Sequence, residues 1–124
     1  MLKKLMLSLT AIIVLGLIVI AQDKSVTLEG HIVDKNCATG KDAKQSDPQA
    51  AAANESKGCI LMKSCFESGL GIYSDGKYTV FDDKGNALAK AALEKSKKDK
   101  GAKFKVIGKV TDGKLAVGSI TEVK

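Results

Sequence analysis

Short stretches of the chain alternate apolar and polar residues, and this period of two predicts β-strands. The first stretch covers residues 25–33. Four later ones, at 72–74, 77–81, 104–110 and 115–123, form two successive pairs. The turns between paired stretches are Asp-Gly dipeptides, which readily take the positive φ angles of a tight hairpin: Asp75-Gly76 and Asp112-Gly113. The pattern therefore predicts five strands, four of them in two hairpins.

A helical spacing of apolar residues occurs between the third and fourth strands. Leu88, Ala91 and Ala92 are spaced for one helical face, which predicts a helix over 87–98 with Asn86 as its N-cap. The dipeptide signals before it (residues 82–85) predict a turn, and Gly101 is expected to end the helix. Within the last strand pair, bulges or sharp bends are expected at two glycines, Gly108 and Gly118.

The predicted order is β-β-β-α-β-β. Five short, bent antiparallel strands remove their exposed edges most simply by closing, so we predict a small OB-like β-barrel with one helix between strands three and four. An open sheet with a helix on one face is the alternative. The barrel domain would cover residues 22–124, with a long loop at about 34–69 that includes a helical turn after Pro48 and partly helical structure over 59–68.

The N-terminal segment changes the expected location of this domain. Two lysines precede an apolar run over 5–21, and the sequence turns polar at Gln22. This layout is typical of a signal peptide over 1–21, so we expect an exported, periplasmic or extracellular protein. Uncleaved, the same run would be a membrane anchor, because it nearly reaches the length of a span.

Charge argues against nucleic acid as a partner. All 20 basic residues are lysine, and removal of Lys3 and Lys4 with the signal peptide would lower the formal net charge from +6 to +4. Without arginine the chain lacks the forked donor of bidentate phosphate and base contacts. The tyrosines of the first hairpin (Tyr73 and Tyr78) are expected to serve core packing and cross-strand pairing rather than base stacking. With one histidine, His31, expected at the surface, no catalytic triad can be assembled, and we expect no enzyme.

Longer motifs resemble a group of small, uncharacterised exported bacterial proteins. The shared pieces are Gly30-His31-Ile32-Val33-Asp34-Lys35-Asn36-Cys37, then Cys59-Ile60-Leu61-Met62-Lys63-Ser64-Cys65 with Ser68-Gly69, the first Asp-Gly hairpin and the final two strands. The resemblance implies export and an OB-like fold, without an established activity. Members of the group often have a histidine four residues before the first paired cysteine, where this chain has Glu55.

The three cysteines offer the main chemistry. In an oxidising compartment we expect one disulfide and one free thiol. Cys59 and Cys65, if on one helix, would point about 240° apart. Cys37 follows strand one and Cys65 precedes strand two at similar distances from one ladder end. We therefore predict a Cys37–Cys65 disulfide with Cys59 free.

Two other interpretations of the cysteines stay open. The three thiolates, with Asp34, Glu55 or Met62, would form a soft site for Cu(I) or Zn(II). Alternatively, one thiol is redox-reactive. The leading functional hypothesis is an exported, non-enzymatic binding or stress-related module of unknown ligand. The alternative is a copper- or zinc-binding protein, and oligosaccharide or nucleic-acid binding follows from fold analogy alone.

Overall fold

The computed structural model describes residues 24–39 and 48–124. The predicted signal peptide and residues 40–47 of the predicted long loop lie outside the described residues. The described elements, in chain order, are β1 (Ser25–Asp34), α1 (Lys35–Thr39), α2 (Pro48–Asn54), α3 (Lys57–Ile60), α4 (Lys63–Glu67), β2 (Leu70–Ser74), β3 (Lys77–Val80), α5 (Asp83–Lys95), β4 (Lys103–Thr111) and β5 (Lys114–Val123). Among these helices, none is long and apolar enough to cross a membrane.

The five strands form one antiparallel sheet in the order β3-β2-β1-β4-β5, with the main helix α5 between β3 and β4. This confirms the predicted element order. The ladders do not continue around a closed barrel. β3 and β5 are joined by a single parallel bridge, Phe81 with Leu115, and the Asp82 N–H donates to the Leu115 carbonyl at 3.0 Å. The backbone pairing stops there because Asp82 is the N-cap of α5.

Strand β1 divides its pairing between two neighbours. Its first part, from Ser25 to Gly30, pairs with β4, and its last part, from His31 to Asp34, pairs with β2. Gly30 lies at the change of partner, where a Cβ would collide with the carbonyl oxygen of Tyr73. Only glycine fits so close a backbone approach, so the change of pairing partner along β1 depends on this residue.

Both predicted hairpins are confirmed. Asp75 and Asp112 have φ angles of 49° and 52°, and the glycine after each has a φ of 75°. In the second hairpin the register shifts between Ile107 and Gly108, so that Gly118 has no partner on β4. This is the bulge expected at a glycine within the last strand pair.

The predicted bounds of the main helix are wrong at both ends. Helix α5 begins at Asp83, because the Asp82 side chain accepts from the Gly85 N–H at 2.8 Å and caps the first turn. Asn86 therefore lies inside the helix, where its Oδ1 accepts from the N–H of Leu70 at 2.8 Å. The helix ends at Lys95, before Gly101, and the following buried Ser96 donates to Glu122 at 2.8 Å.

Two hydrophobic clusters hold the fold. The larger one lies between the sheet and α5, and its buried members are Ile32, Ile60, Leu70, Ile72, Phe81, Ala89, Leu93, Phe104, Val106, Leu115 and Val117. The smaller one lies where α1 and α2 pack on β1, and consists of Val33, Ala38 and Ala52, with Cys37, Tyr73 and Tyr78 against it. The second cluster positions the segment between β1 and β2.

Candidate metal centre

The segment between β1 and β2 forms four short helices over its described residues and supplies most of the candidate chemistry. It leaves the sheet after Asp34 and returns at Leu70, two residues that are partners in the β1–β2 ladder. The partly helical structure predicted for residues 59–68 is confirmed, as two helices with a break at Leu61 and Met62. Because of this break, Cys59 and Cys65 do not lie on one helix, which was the arrangement considered from the sequence.

Asp34 is the innermost polar residue of this region. It ends β1, and its side chain has no exposed surface. Oδ2 accepts a hydrogen bond from the Cys37 N–H at 3.0 Å, whereas Oδ1 has no hydrogen-bond partner. An unsatisfied buried polar atom of this kind costs about 1–3 kcal/mol. The Oδ2 contact explains how Asp34 begins α1. The thiols of Cys37 and Cys65 also interact with this carboxylate, and hydrogen bonding to it contributes to their raised pKa values.

Cys37 presents its thiol beside this carboxylate. The side chain is half-buried, and its Sγ donates to Glu55 Oε1 over 3.7 Å. Burial first, and then the negative charge of Asp34, raise the pKa of the Cys37 thiol from 9.0 to about 12. The thiol is therefore protonated at neutral pH in the absence of a positive charge.

Glu55 comes from the other side, immediately after α2. Three contacts hold α2 and the residues that follow it: Ala52 is buried in the smaller cluster, Gln49 at the start of the helix accepts from the Gly76 N–H at 2.8 Å, and the Lys57 N–H donates to the Asp99 carbonyl at 2.8 Å. The Glu55 carboxylate thus approaches Cys37 from a separately anchored element.

These three residues form a set of potential metal ligands. One carboxylate oxygen of Asp34, Sγ of Cys37 and one carboxylate oxygen of Glu55 all lie within 4.8 Å of one another. Around a tetrahedral Zn²⁺ with bonds of about 2.3 Å to sulfur and 2.1 Å to oxygen, a sulfur and an oxygen ligand lie about 3.6 Å apart. The 3.7 Å between Cys37 and Glu55 already matches that spacing.

The other two cysteines lie near the set but outside it. All three cysteines are free thiols, so the predicted Cys37–Cys65 disulfide is not formed in this structure. Cys65 is half-buried, and burial, followed by the charge of Asp34, raises the pKa of its thiol. Cys59 is exposed on α3, where its N–H donates to the capping Ser56 side chain at 3.2 Å.

Two further sequence candidates have other surroundings. Met62 is 56% exposed and is not one of the three converging ligands. His31, expected at the surface, is half-buried, and its Nδ1 donates to the Ala102 carbonyl at 3.1 Å. His31 and Glu55 both line a small surface depression, which Asp34 and Cys37 do not line.

Tyr78 borders the candidate centre, and this position was not predicted from the sequence. Its ring packs on Tyr73 with centroids 5.6 Å apart, in the cross-strand pairing that was expected. Its hydroxyl, however, donates to the Val33 carbonyl at 3.0 Å. Burial, and then the charges of Asp34 and Cys37, raise the pKa of this phenol. A tyrosine in a strand of alternating apolar and polar residues gives no local signal that its hydroxyl will lie beside such a centre.

Comparison of the chain with protein-family models, curated proteins and solved structures found no match. The resemblance described from the sequence motifs therefore stays an expectation.

Proposed function

We propose that this protein binds a divalent metal ion, with Zn²⁺ the best fit, through Asp34, Cys37 and Glu55. The observation that carries the proposal is the convergence of three donor atoms on a fully buried carboxylate with one unpartnered oxygen. A cation would supply the partner that Asp34 Oδ1 lacks. The cap of α1 uses only Oδ2.

The donor set favours zinc over the other metals considered. One thiolate and two carboxylates are a mixed set that Zn²⁺ accepts, and three protein ligands leave a fourth position for water. Cu(I) selects sulfur ligands, and the thioether of Met62 lies at the surface instead. Calcium and magnesium take oxygen ligands, so the thiol of Cys37 argues against them.

Metal binding would reverse the protonation of Cys37. The metal-free thiol is held protonated by its burial and by two neighbouring carboxylates, and a bound cation would outweigh their charge and take the thiolate as ligand. Binding therefore releases a proton. We expect the apparent affinity to rise by about tenfold per pH unit near neutrality.

The wider setting of this function is also part of the proposal. We infer that the sheet is OB-like, with its two ends brought together only at the Phe81–Leu115 bridge, and that the chain is exported, as its first 21 residues suggest. The protein would then act outside the cytosol as a non-enzymatic binding module whose ligand is a metal ion. This assigns a ligand to the functional hypothesis drawn from the sequence.

The experiment that tests the proposal is equilibrium dialysis of chelator-treated, reduced protein against Zn²⁺, with elemental analysis of the bound metal. We expect one zinc per chain. Cys37→Ser and Glu55→Gln each remove a ligand at a partly accessible position. Each should weaken binding by more than about 100-fold, since loss of even a ligand's hydrogen-bond partner costs 10–100-fold.

Cys59→Ser is the matched control, because Cys59 is an exposed thiol on a neighbouring helix outside the ligand set. It should bind zinc as the wild type does. Circular dichroism of each variant checks that the fold is kept. Wild-type protein without bound zinc, or Cys37→Ser and Glu55→Gln proteins with unchanged affinity, would contradict the proposal.

A further inference from the structure

Cys65 is a thiol beside the centre without a part in the ligand set. It is half-buried on α4, and it interacts electrostatically with both Asp34 and Cys37. It is not among the residues whose donor atoms lie within 4.8 Å of one another. A second thiol next to a metal-binding thiol gives that sulfur an alternative to binding metal, which is to form a disulfide.

The backbone holds the helices of the two thiols against each other. Beyond the last ladder pair of β1 and β2, the Lys35 N–H donates to the Gly69 carbonyl at 2.8 Å. The Asn36 N–H donates to Ser68 Oγ at 3.3 Å, and that hydroxyl donates to the Cys65 carbonyl at 2.6 Å. The start of α1 and the end of α4 are thus tied together at the same end of the ladder. Cys37 lies in α1 and Cys65 lies in α4.

We propose that the metal centre is redox-gated: oxidation of Cys37 and Cys65 to a disulfide removes the sulfur ligand and releases the metal. This rests on the function proposed above. The oxidant is a small disulfide, and the pairing of the two cysteines is the one that strand topology predicts. A sulfur bonded to another sulfur no longer carries the thiolate charge that holds the cation.

The reaction balances as two thiol–disulfide exchanges. The Cys65 thiolate, which the metal does not hold, attacks one sulfur of the small disulfide, and the first small thiolate leaves. Cys37 Sγ then leaves the metal and attacks the Cys65 sulfur, forming the Cys37–Cys65 bond and expelling the second small thiolate. Two protein thiols are oxidised and one small disulfide is reduced. The proton of Cys65 ends on a small thiol, and the metal ion enters solution.

The test uses the full chain, reduced and loaded with Zn²⁺, and exposes it to oxidised glutathione in the presence of a chromogenic zinc chelator. We expect the wild type to release zinc, its intact mass to fall by two hydrogen atoms, and peptide mapping to find Cys37 joined to Cys65. Cys65→Ser removes the entry point of the oxidant and should retain its zinc. Cys59→Ser, the control for loss of a thiol, should release zinc at the wild-type rate.

The zinc content before oxidation reports on the proposed function, and the oxidation step reports on the gate. Zinc release from Cys65→Ser at the wild-type rate would overturn the gate while leaving metal binding intact. A mapped Cys59–Cys65 disulfide in protein that keeps its zinc would do the same. Reduced wild-type protein that binds no zinc would overturn the metal site and the gate with it.

Discussion

Replacement of Asp34 by asparagine is expected to make the Cys37 thiol more reactive in the metal-free protein. Asparagine keeps an oxygen that can accept from the Cys37 N–H, so the start of α1 is preserved. It removes the negative charge beside the sulfur. The effect on Cys37 therefore reports the electrostatic coupling within the centre, independently of any metal.

The size of the effect follows from the geometry. Burial is the largest cause of the raised Cys37 pKa of about 12, and the charge of Asp34 comes second. The Asp34 oxygen and Cys37 Sγ lie no more than 4.8 Å apart. Coulomb's law then gives about 0.9 kcal/mol in water and about 3.5 kcal/mol at an effective dielectric constant of 20. For a half-buried thiol we take about 1.4 kcal/mol, so that loss of the charge lowers the pKa of Cys37 by about 1.

The assay is alkylation by iodoacetamide at pH 8, followed by mass spectrometry. Both proteins carry Cys59→Ser and Cys65→Ser, so that Cys37 is the only thiol. The lower pKa raises the thiolate fraction about tenfold, and the lower nucleophilicity of that thiolate takes back a factor of about three. We therefore expect Asp34→Asn to react about three to four times faster.

The control is Asp112→Asn in the same cysteine background. Asp112 lies in the β4–β5 turn, at the opposite end of β1 from Asp34, and asparagine tolerates its positive φ angle. Its alkylation rate should equal that of the parent. An Asp34→Asn rate equal to the parent's, in protein that keeps its circular dichroism spectrum, would refute the electrostatic account of Cys37.

Three other predictions concern stability in urea. Because the pKa of Cys37 is about 12 in the folded protein and 9.0 for an ordinary thiol, the unfolded chain ionises first above pH 9. The contribution of this thiol to stability is fully present below pH 9 and is lost as the pH rises towards 12. The Cys37→Ser protein should therefore lose less stability than the wild type between pH 8.5 and 10.5. Asn86→Ala leaves the Leu70 N–H without its acceptor and should cost about 1–3 kcal/mol, whereas Asn86→Asp keeps an acceptor; equal losses would count against this role. Gly30→Ala should cost about 1–3 kcal/mol through backbone collision, and Gly58→Ala, with open space around it, much less; similar costs would exclude close packing as the reason for Gly30.

The strands could be predicted from sequence because their signals are local. Alternation of apolar residues and the two Asp-Gly turns depend only on neighbours in the chain, and both hairpins and the glycine bulge agree with the prediction. The start of α5 was predicted wrongly because the sequence offers two residues that can serve as the N-cap. Asp82 takes that role, and Asn86 instead bonds to Leu70 on a distant strand. Closure into a full barrel could not be predicted from the local sequence pattern. Closure depends on the length of β3 before the chain enters α5 at its N-cap, Asp82.

The residues of the candidate metal centre could be named from the sequence, but the three that converge could not be selected from it. Asp34, Cys37 and Glu55 were among six candidates, and nothing in their spacing separates them from Cys59, Cys65 and Met62. The choice depends on how α1 and α2 dock on β1. That docking uses Ala52, one residue of a low-complexity alanine run, and a hydrogen bond that the Gly76 N–H in the first hairpin donates to Gln49 Oε1. Such long-range contacts leave no periodic signal.

The pairing of Asp34 with Leu70 at the end of the β1–β2 ladder has a consequence for protein engineering. The segment bearing the centre departs and re-enters at Asp34 and Leu70, ladder partners about 5 Å apart. It is therefore a cassette between adjacent strand ends, fastened to the main core by Ile60, Leu61 and Phe66 and to β1 through the smaller cluster. Replacing it with a tight turn should leave a sheet that still assembles, at the cost of these apolar contacts. Transplanting it together with Asp34 onto an unrelated antiparallel hairpin should carry the three ligands along, provided the recipient offers matching apolar surfaces for both sets of contacts.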